Sequence, residues 1–217
     1  MSPQYVNHLT ALEQAIRTKP DNPAFKVPSE NGGWRDISYQ ELWNDVVRLA
    51  VYYSSRLEQL GMKKRDVIGL CLQRAGYIPH LMSTYVKDLD LVQGLFQQSN
   101  AKTVICDTTR INGWEQLEPL GVKVIPILTH EEVAQITGSC SPVDLSVLPP
   151  LDEEVDGNDI LSFEQSSGSS SGRPKLVPFS RRWVDANAQK CQIDERRTPV
   201  FIRSGSFCYV GQLLRAS

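Results

Sequence analysis

Residues 38–72, SYQELWNDVVRLAVYYSSRLEQLGMKKRDVIGLCL, constrain the fold more than any other stretch of the chain. Ser38 and Glu41 have the S-x-x-E spacing in which a cap side chain and a third-position carboxylate satisfy two free backbone donors. Leu42, Val46, Leu49, Tyr53, Leu57 and Leu60 then recur at steps of three and four, which predicts a long helix with one apolar stripe. Gly61 is placed to stop it in a left-handed turn. After the basic turn Lys63, Lys64, Arg65 comes DVIGLCL, a nearly unbroken apolar run. Such a run suits a strand buried on both faces, as in a parallel sheet.

The same alternation extends along the chain. A helix is expected over 7–18, closed by Pro20 and Pro23. PAFKV and WRDISY flank NGG (31–33) and predict a hairpin. Residues 77–87 and 91–98 read as helices. KTVICD (102–107) and KVIPIL (123–128) read as buried strands, with a short helix over 111–118 and another over 130–136. Residues 137–159 break the pattern with Pro142, Pro149, Pro150 and the acidic group Asp152, Glu153, Glu154, Asp156 and Asp159, an irregular solvated connection. DILSFEQ (159–165) and PKLVPFS (174–180) resume as extended runs, and 181–191 as a helix capped by Ser180. No internal repeat is evident. The pattern predicts an α/β fold with a mostly parallel sheet flanked by helices.

Bulk properties narrow the function classes. A net charge of −2 advertises neither nucleic acid nor an anionic membrane as a partner. No apolar run approaches the roughly 18 residues of a spanning helix, and MSPQYVNHLTALEQAI has no secretory pattern, so a cytoplasmic protein is expected. The 5 cysteines include no CxxC pair and read as reduced, structural thiols. His8, His80 and His130 have no ligand spacing, so no metal site is assigned. Trp43 and Trp183 read as packing residues on helices.

The segment SSGSSSGRPK (166–175) admits two readings, a flexible linker or a phosphate loop. A Ser/Gly linker joins independent units. This one lies between two candidate strands of what reads as one domain, and Arg173, Pro174 and Lys175 close it. Glycine lets backbone approach an anion, and N–H groups and hydroxyls donate to phosphate oxygens. Placement and composition favour the phosphate loop. The spacing G-x-x-x-x-G-K-[ST] is absent, as is G-x-G-x-x-G.

With its flanks, SSGSSSGRPKLVP resembles the signature loop of AMP-forming adenylate-forming enzymes. These include acyl-CoA synthetases, adenylation domains of nonribosomal peptide synthetases and carboxylate reductases. The helix ISYQELWNDVVRLA followed by GMKKRDVIGLCLQ resembles the opening of that family's large N-terminal domain, and KTVICD its next strand, in a fungal-like style. The resemblance implies use of ATP, with Mg²⁺, to convert a carboxylic acid to an acyl-adenylate and pyrophosphate. Carried over residue by residue, Ser167, Gly168, Ser169, Ser170, Ser171, Gly172 and Lys175 would wrap the ATP phosphates. No catalytic residue is assigned.

Three departures qualify the match. The loop holds one residue more than the common form. The stretch from Tyr77 to Leu95 is short for the family, so a piece of sheet is expected to be missing and its neighbours' edges left open to self-association. The family's later motifs, for adenine, ribose and the mobile lysine-bearing domain, have no counterpart in 196–217. Residues 1–217 are therefore expected to form a single incomplete adenylation domain, with 196–217 as a tail outside the match. As an isolated chain it is expected not to catalyse. The alternative is a non-catalytic nucleotide-binding or regulatory fragment.

Overall fold

Ser38 caps the long helix as its spacing requires. In the computed structural model its Oγ accepts from Glu41 N at 3.1 Å, and Ser38 N donates to Glu41 Oε2 at 2.8 Å. The structure describes residues 8–29, 31–69, 77–81, 88–107, 114–139, 142–149, 156–166 and 173–190. These divide into two compact units.

The first unit contains helix α1 (His8–Thr18), the antiparallel hairpin β1 (Pro23–Pro28) and β2 (Trp34–Ser38), helix α2 (Tyr39–Gln59), helix α4 (His130–Thr137) and a 3-10 turn at Leu145–Val147. Gly32 and Gly33, at φ +80° and +83°, make the predicted NGG turn. Helix α2 packs on α1, on α4 and on the 3-10 turn. Its buried stripe is Val47, Ala50, Tyr53, Ser54 and Leu57. Val46, Leu49 and Leu60, assigned to the core from their spacing, are only half buried, so the inward face is rotated by about one residue. Helix α4 carries a second capping box, Thr129 with Glu132.

Gly61 adopts φ +78° as expected. Gly61 N donates to Glu58 O and Met62 N to Leu57 O, the paired bonds of a Schellman stop. A six-residue echo passes unnoticed in the sequence. LEQLGM (57–62) recurs as LEPLGV (117–122). There Gly121 has φ +81°, and Gly121 N and Val122 N donate to Glu118 O and Leu117 O. One motif thus ends both α2 and the 3-10 helix Trp114–Leu120, the latter the short helix expected over 111–118.

The second unit is built on a parallel sheet, ordered β4-β3-β5-β6, of β3 (Val67–Gly69), β4 (Ile78–Pro79), β5 (Ala101–Cys106) and β6 (Lys123–Pro126). Helix α3 (Leu89–Ser99) packs on β5. It starts at Asp88, whose carboxylate accepts from Asp90 N and Leu91 N, and ends at Asn100 in the left-handed region. The core cluster includes Val67, Val92, Phe96, Ala101, Val104, Leu117, Val122 and Phe163. Burying a side chain such as Phe96 contributes roughly 2–3 kcal/mol. At Gly69 the packing is tight, since a Cβ there would lie 2.9 Å from Val104 Cγ2.

Residues 77–87 are not a helix where they are described. Ile78–Pro79 is strand β4, and 82–87 lie outside the described residues. Proline forces its predecessor out of the helical region, and an apolar pair buried between neighbours then extends. β4 pairs parallel with β3, through Val67↔Ile78 and Ile68↔Pro79. His80 N donates to Ile68 O at 2.6 Å. Among the described residues β3 thus has a partner on each side, β5 on one and on the other a strand only two residues long.

Strands β7 (Ile160–Gln165) and β8 (Leu176–Ser180) form an antiparallel pair, followed by helix α5 (Arg181–Lys190). Ser180 caps α5, with Trp183 N donating to its Oγ. Phe179 and Trp183 stack at 4.1 Å, so this tryptophan packs as expected. β7 also reaches the parallel sheet through a one-residue bridge, His80↔Phe163, with Leu81 N donating to Phe163 O at 2.9 Å. Among the described residues no helix is long and apolar enough to cross a membrane.

Candidate functional site

The candidate loop is the connection of the β7–β8 hairpin. The ladder runs to Gln165↔Leu176, the last pair before the loop. Two further bonds tie its base. Ser166 N donates to Lys175 O at 2.9 Å, and Lys175 N donates to Ser166 Oγ at 2.8 Å. The first serine of the run is thus used up as a clasp, its hydroxyl oxygen engaged by the backbone of the terminal lysine. Both ends of the loop are held against one strand pair, which a flexible linker between separate units would not require.

Of the residues assigned from the sequence, Ser167, Gly168, Ser169, Ser170, Ser171 and Gly172 lie outside the described residues. Lys175 is described; it is exposed and stands at the far foot of the loop, beside Ser166. Of the family-derived set, Lys175 is thus the one member among the described residues.

The opposite end of the hairpin is tied by charge and backbone. Arg65 pairs with Asp159 at 2.7 Å, and Asp159 O accepts from Arg181 N. Arg65 itself has φ +71°, a conformation that disfavours a Cβ. Of the acidic group at 152–159, Asp156 makes a local turn with Asn158 N and Asp159 makes this ion pair. Among the described residues no group of three His, Cys, Asp or Glu side chains could hold a metal ion. Cys106 is a free thiol, pushed up to about 11 by burial first and then by Asp107, and so inert at neutral pH.

Leading into the loop, β7 is buried at Phe163, Glu164 and Gln165. Consecutive residues point to opposite faces, so burial of all three marks a strand covered on both. Glu164 is 3% exposed and Gln165 0%. Glu164 Oε2 and both carboxamide atoms of Gln165 have no hydrogen-bond partner among the described residues. Burial pushes the Glu164 carboxyl up to about 7. His80, the residue after β4, is 0% exposed, and burial lowers its imidazole to about 4. Reading the sequence missed this polar group. The available signal was FEQ, two polar residues at the apolar end of a strand that meets a loop.

No family model matches the chain. It is 24% identical over 237 aligned residues to the AMP-binding domain-containing enzyme iboA of Amanita muscaria, an alignment covering 96% of this chain and 44% of that protein. Its fold matches an anthranilate CoA ligase solved with anthranoyl-AMP (TM-score 0.59, 18% identity, 86% of this chain and 37% of that one). It also matches a long-chain-fatty-acid-CoA ligase of Archaeoglobus fulgidus (TM-score 0.58, 16% identity, 88% of this chain and 39% of that one). The chain spans less than half the length of each of these proteins. Along nearly its whole length the chain is thus similar in sequence to an AMP-binding domain-containing enzyme, and its fold is similar to that of CoA ligases.

Proposed function

We propose that residues 166–175 are the ATP-phosphate loop of an adenylate-forming ligase, and that residues 1–217 make up a single, incomplete adenylation domain working in the cytoplasm. The observation that supports this most directly is the double clasp between Ser166 and Lys175. It pins a run of serines and glycines at its base and leaves Lys175 exposed beside it. Ser167, Gly168, Ser169, Ser170, Ser171 and Gly172 would donate hydroxyl and backbone hydrogens to the β- and γ-phosphates. Lys175 would add a point charge where charge develops on the departing pyrophosphate. The donor set suits a polyphosphate, being rich in hydroxyl and N–H donors and containing no carboxylate. Mg²⁺, when bound with ATP, would neutralise phosphate charge; the residues assigned here supply no carboxylate to hold it.

Adenylation also requires the carboxylate and the adenosine to be held in line with the phosphates. In this reading the 217-residue chain binds ATP and does not by itself complete acyl-adenylate formation on a carboxylic acid. Two measurements test it, titration of the chain with Mg-ATP and ATP–pyrophosphate exchange over a panel of carboxylic acids. Saturable ATP binding that weakens about tenfold or more in Lys175→Ala supports the loop assignment. ATP binding that is absent, or untouched by Lys175→Ala, sinks it. Exchange that depends on one acid would show instead a competent enzyme.

A second reading, a regulatory fragment that pairs with another chain, is favoured by one feature. Among the described residues β6, at the end of the parallel sheet, pairs only with β5. Concentration-dependent mass in light scattering would support it, and a monomer at all concentrations would exclude self-pairing.

A further inference from the structure

His80 joins the parallel sheet to the β7–β8 hairpin. Its own N–H donates to Ile68 O on β3, and the next amide, Leu81 N, donates to Phe163 O on β7. The residue is 0% exposed. Its ring stands perpendicular to that of Phe96 on α3, centroids 5.5 Å apart, and lies beside that of Phe163, at 6.2 Å. Nδ1 is 2.9 Å from Ser99 Oγ. Of these neighbours Phe163 alone belongs to the hairpin, so parting the hairpin from the sheet uncovers the ring.

A neutral imidazole suits this place in either tautomer, since one ring nitrogen donates and the other accepts. An imidazolium does not, because burial disfavours the charged form. Nor does a carboxylate meet it among the described residues. The ring faces Phe96 and Ser99 on α3, Phe163 on β7 and the Ile68 carbonyl on β3, none of them charged. The charged groups of these elements lie elsewhere. Asp88 and Asp90 are at the far end of α3, and Asp66 pairs with Lys102. Glu164 follows Phe163 on β7 and so points to the opposite face. Lys175 is exposed at the foot of the loop.

We propose that His80 is a proton-operated latch: neutral, it lets the hairpin close on the parallel sheet, and taking up a proton it releases the hairpin together with the strand that leads into the 166–175 loop. The latch does not depend on what that loop binds. Burial lowers the closed imidazole from 6.5 to about 4. The closed state is therefore fully favoured above pH 6.5 and gives way as pH falls toward 4.

Hydrogen exchange of the Leu81 amide, corrected for the intrinsic rate at each pH, reads the opening, while Val104 and Ile105 in the same chain read global unfolding. His80→Leu removes the titration, and groups common to both chains, Glu164 among them, drop out of the comparison. The ratio of the Leu81 opening constants, wild type over variant, should rise roughly fiftyfold between pH 7 and 4.5. A ratio that stays constant with pH overturns the proposal, as does a Leu81 amide that opens no more readily than Val104 and Ile105 at pH 4.5. Should His80→Leu fail to fold, Glu164→Gln keeps His80 and removes the opposing titration. Its Leu81 opening constant should rise by the same factor over that interval, and a flat profile overturns the latch.

Discussion

Glu164 and His80 should make the stability of this chain respond to pH in opposite senses. Burial raises the Glu164 carboxyl from 4.5 to about 7, so between those values the folded chain holds a proton that the unfolded chain has released. Stability from this group is therefore full at low pH and falls as pH rises, with a slope of up to about 1.4 kcal/mol per pH unit and a total of about 3 kcal/mol. His80 is lowered from 6.5 to about 4, so across that interval the unfolded chain binds a proton that the folded one refuses. Its contribution is full above 6.5 and is lost as pH falls toward 4, again by about 3 kcal/mol. From about pH 4.5 to 6.5 the two slopes nearly cancel. Glu164→Gln keeps the shape of the side chain and removes its titration, uncovering the His80 slope. Urea unfolding of wild type and variant from pH 4 to 8, followed by tryptophan fluorescence, measures the difference. Groups common to both chains drop out of it. The variant should gain about 3 kcal/mol relative to wild type between pH 4.5 and 7, then hold level. A difference that stays constant with pH would refute the claim that Glu164 is buried as a neutral acid.

Other substitutions test the packing and the stops. Gly69→Ala puts a methyl 2.9 Å from Val104 Cγ2 and should cost about 1–3 kcal/mol by overpacking, read as a lower melting temperature. Ser38→Ala removes one half of the α2 capping box and should cost about 1 kcal/mol in urea unfolding. Gly61→Ala meets no atom within 4 Å but must adopt φ +78°, so it should cost about 1–2 kcal/mol through backbone strain alone, and Gly61→Asn less. Lys102→Met breaks an ion pair with Asp66 whose lysine is half exposed, and should change stability by under about 1 kcal/mol.

Local rules made much of this legible. Capping at Ser38, the stop at Gly61, the NGG turn and the runs that became β5 and β6 follow from short-range geometry, and each lies where the pattern placed it. What failed was decided by contacts distant in the chain. Over 77–81, the described part of a stretch with helical periodicity, Pro79 and the demand for a strand between β3 and β7 outweigh that periodicity. On α2 the expected Tyr53 and Leu57 are buried, while Val47 and Ala50 rather than Val46 and Leu49 complete the face, because spacing gives a stripe and its neighbours choose the side. At the candidate site, composition pointed to the loop, while the clasp of Ser166 on Lys175 needed the strand register to be seen. In the sequence nothing sets His80, Glu164 and Gln165 apart, because burial, not residue type, makes them unusual.

The bridge between His80 and Phe163 also bears on the order of folding. The β5–β6 pairs join residues about twenty apart, and the β7–β8 pairs at most about twenty. The bridge joins residues more than eighty apart, through a single pair. Closing so long a segment has an entropic cost, which the bridge alone does little to offset; burial of Phe163 in the core cluster and the Arg65–Asp159 ion pair must supply the rest. The hairpin and the parallel sheet are therefore expected to form first and independently, with their union last. In hydrogen exchange the amide of Leu81, which seals the bridge, should open before those of Val104 and Ile105.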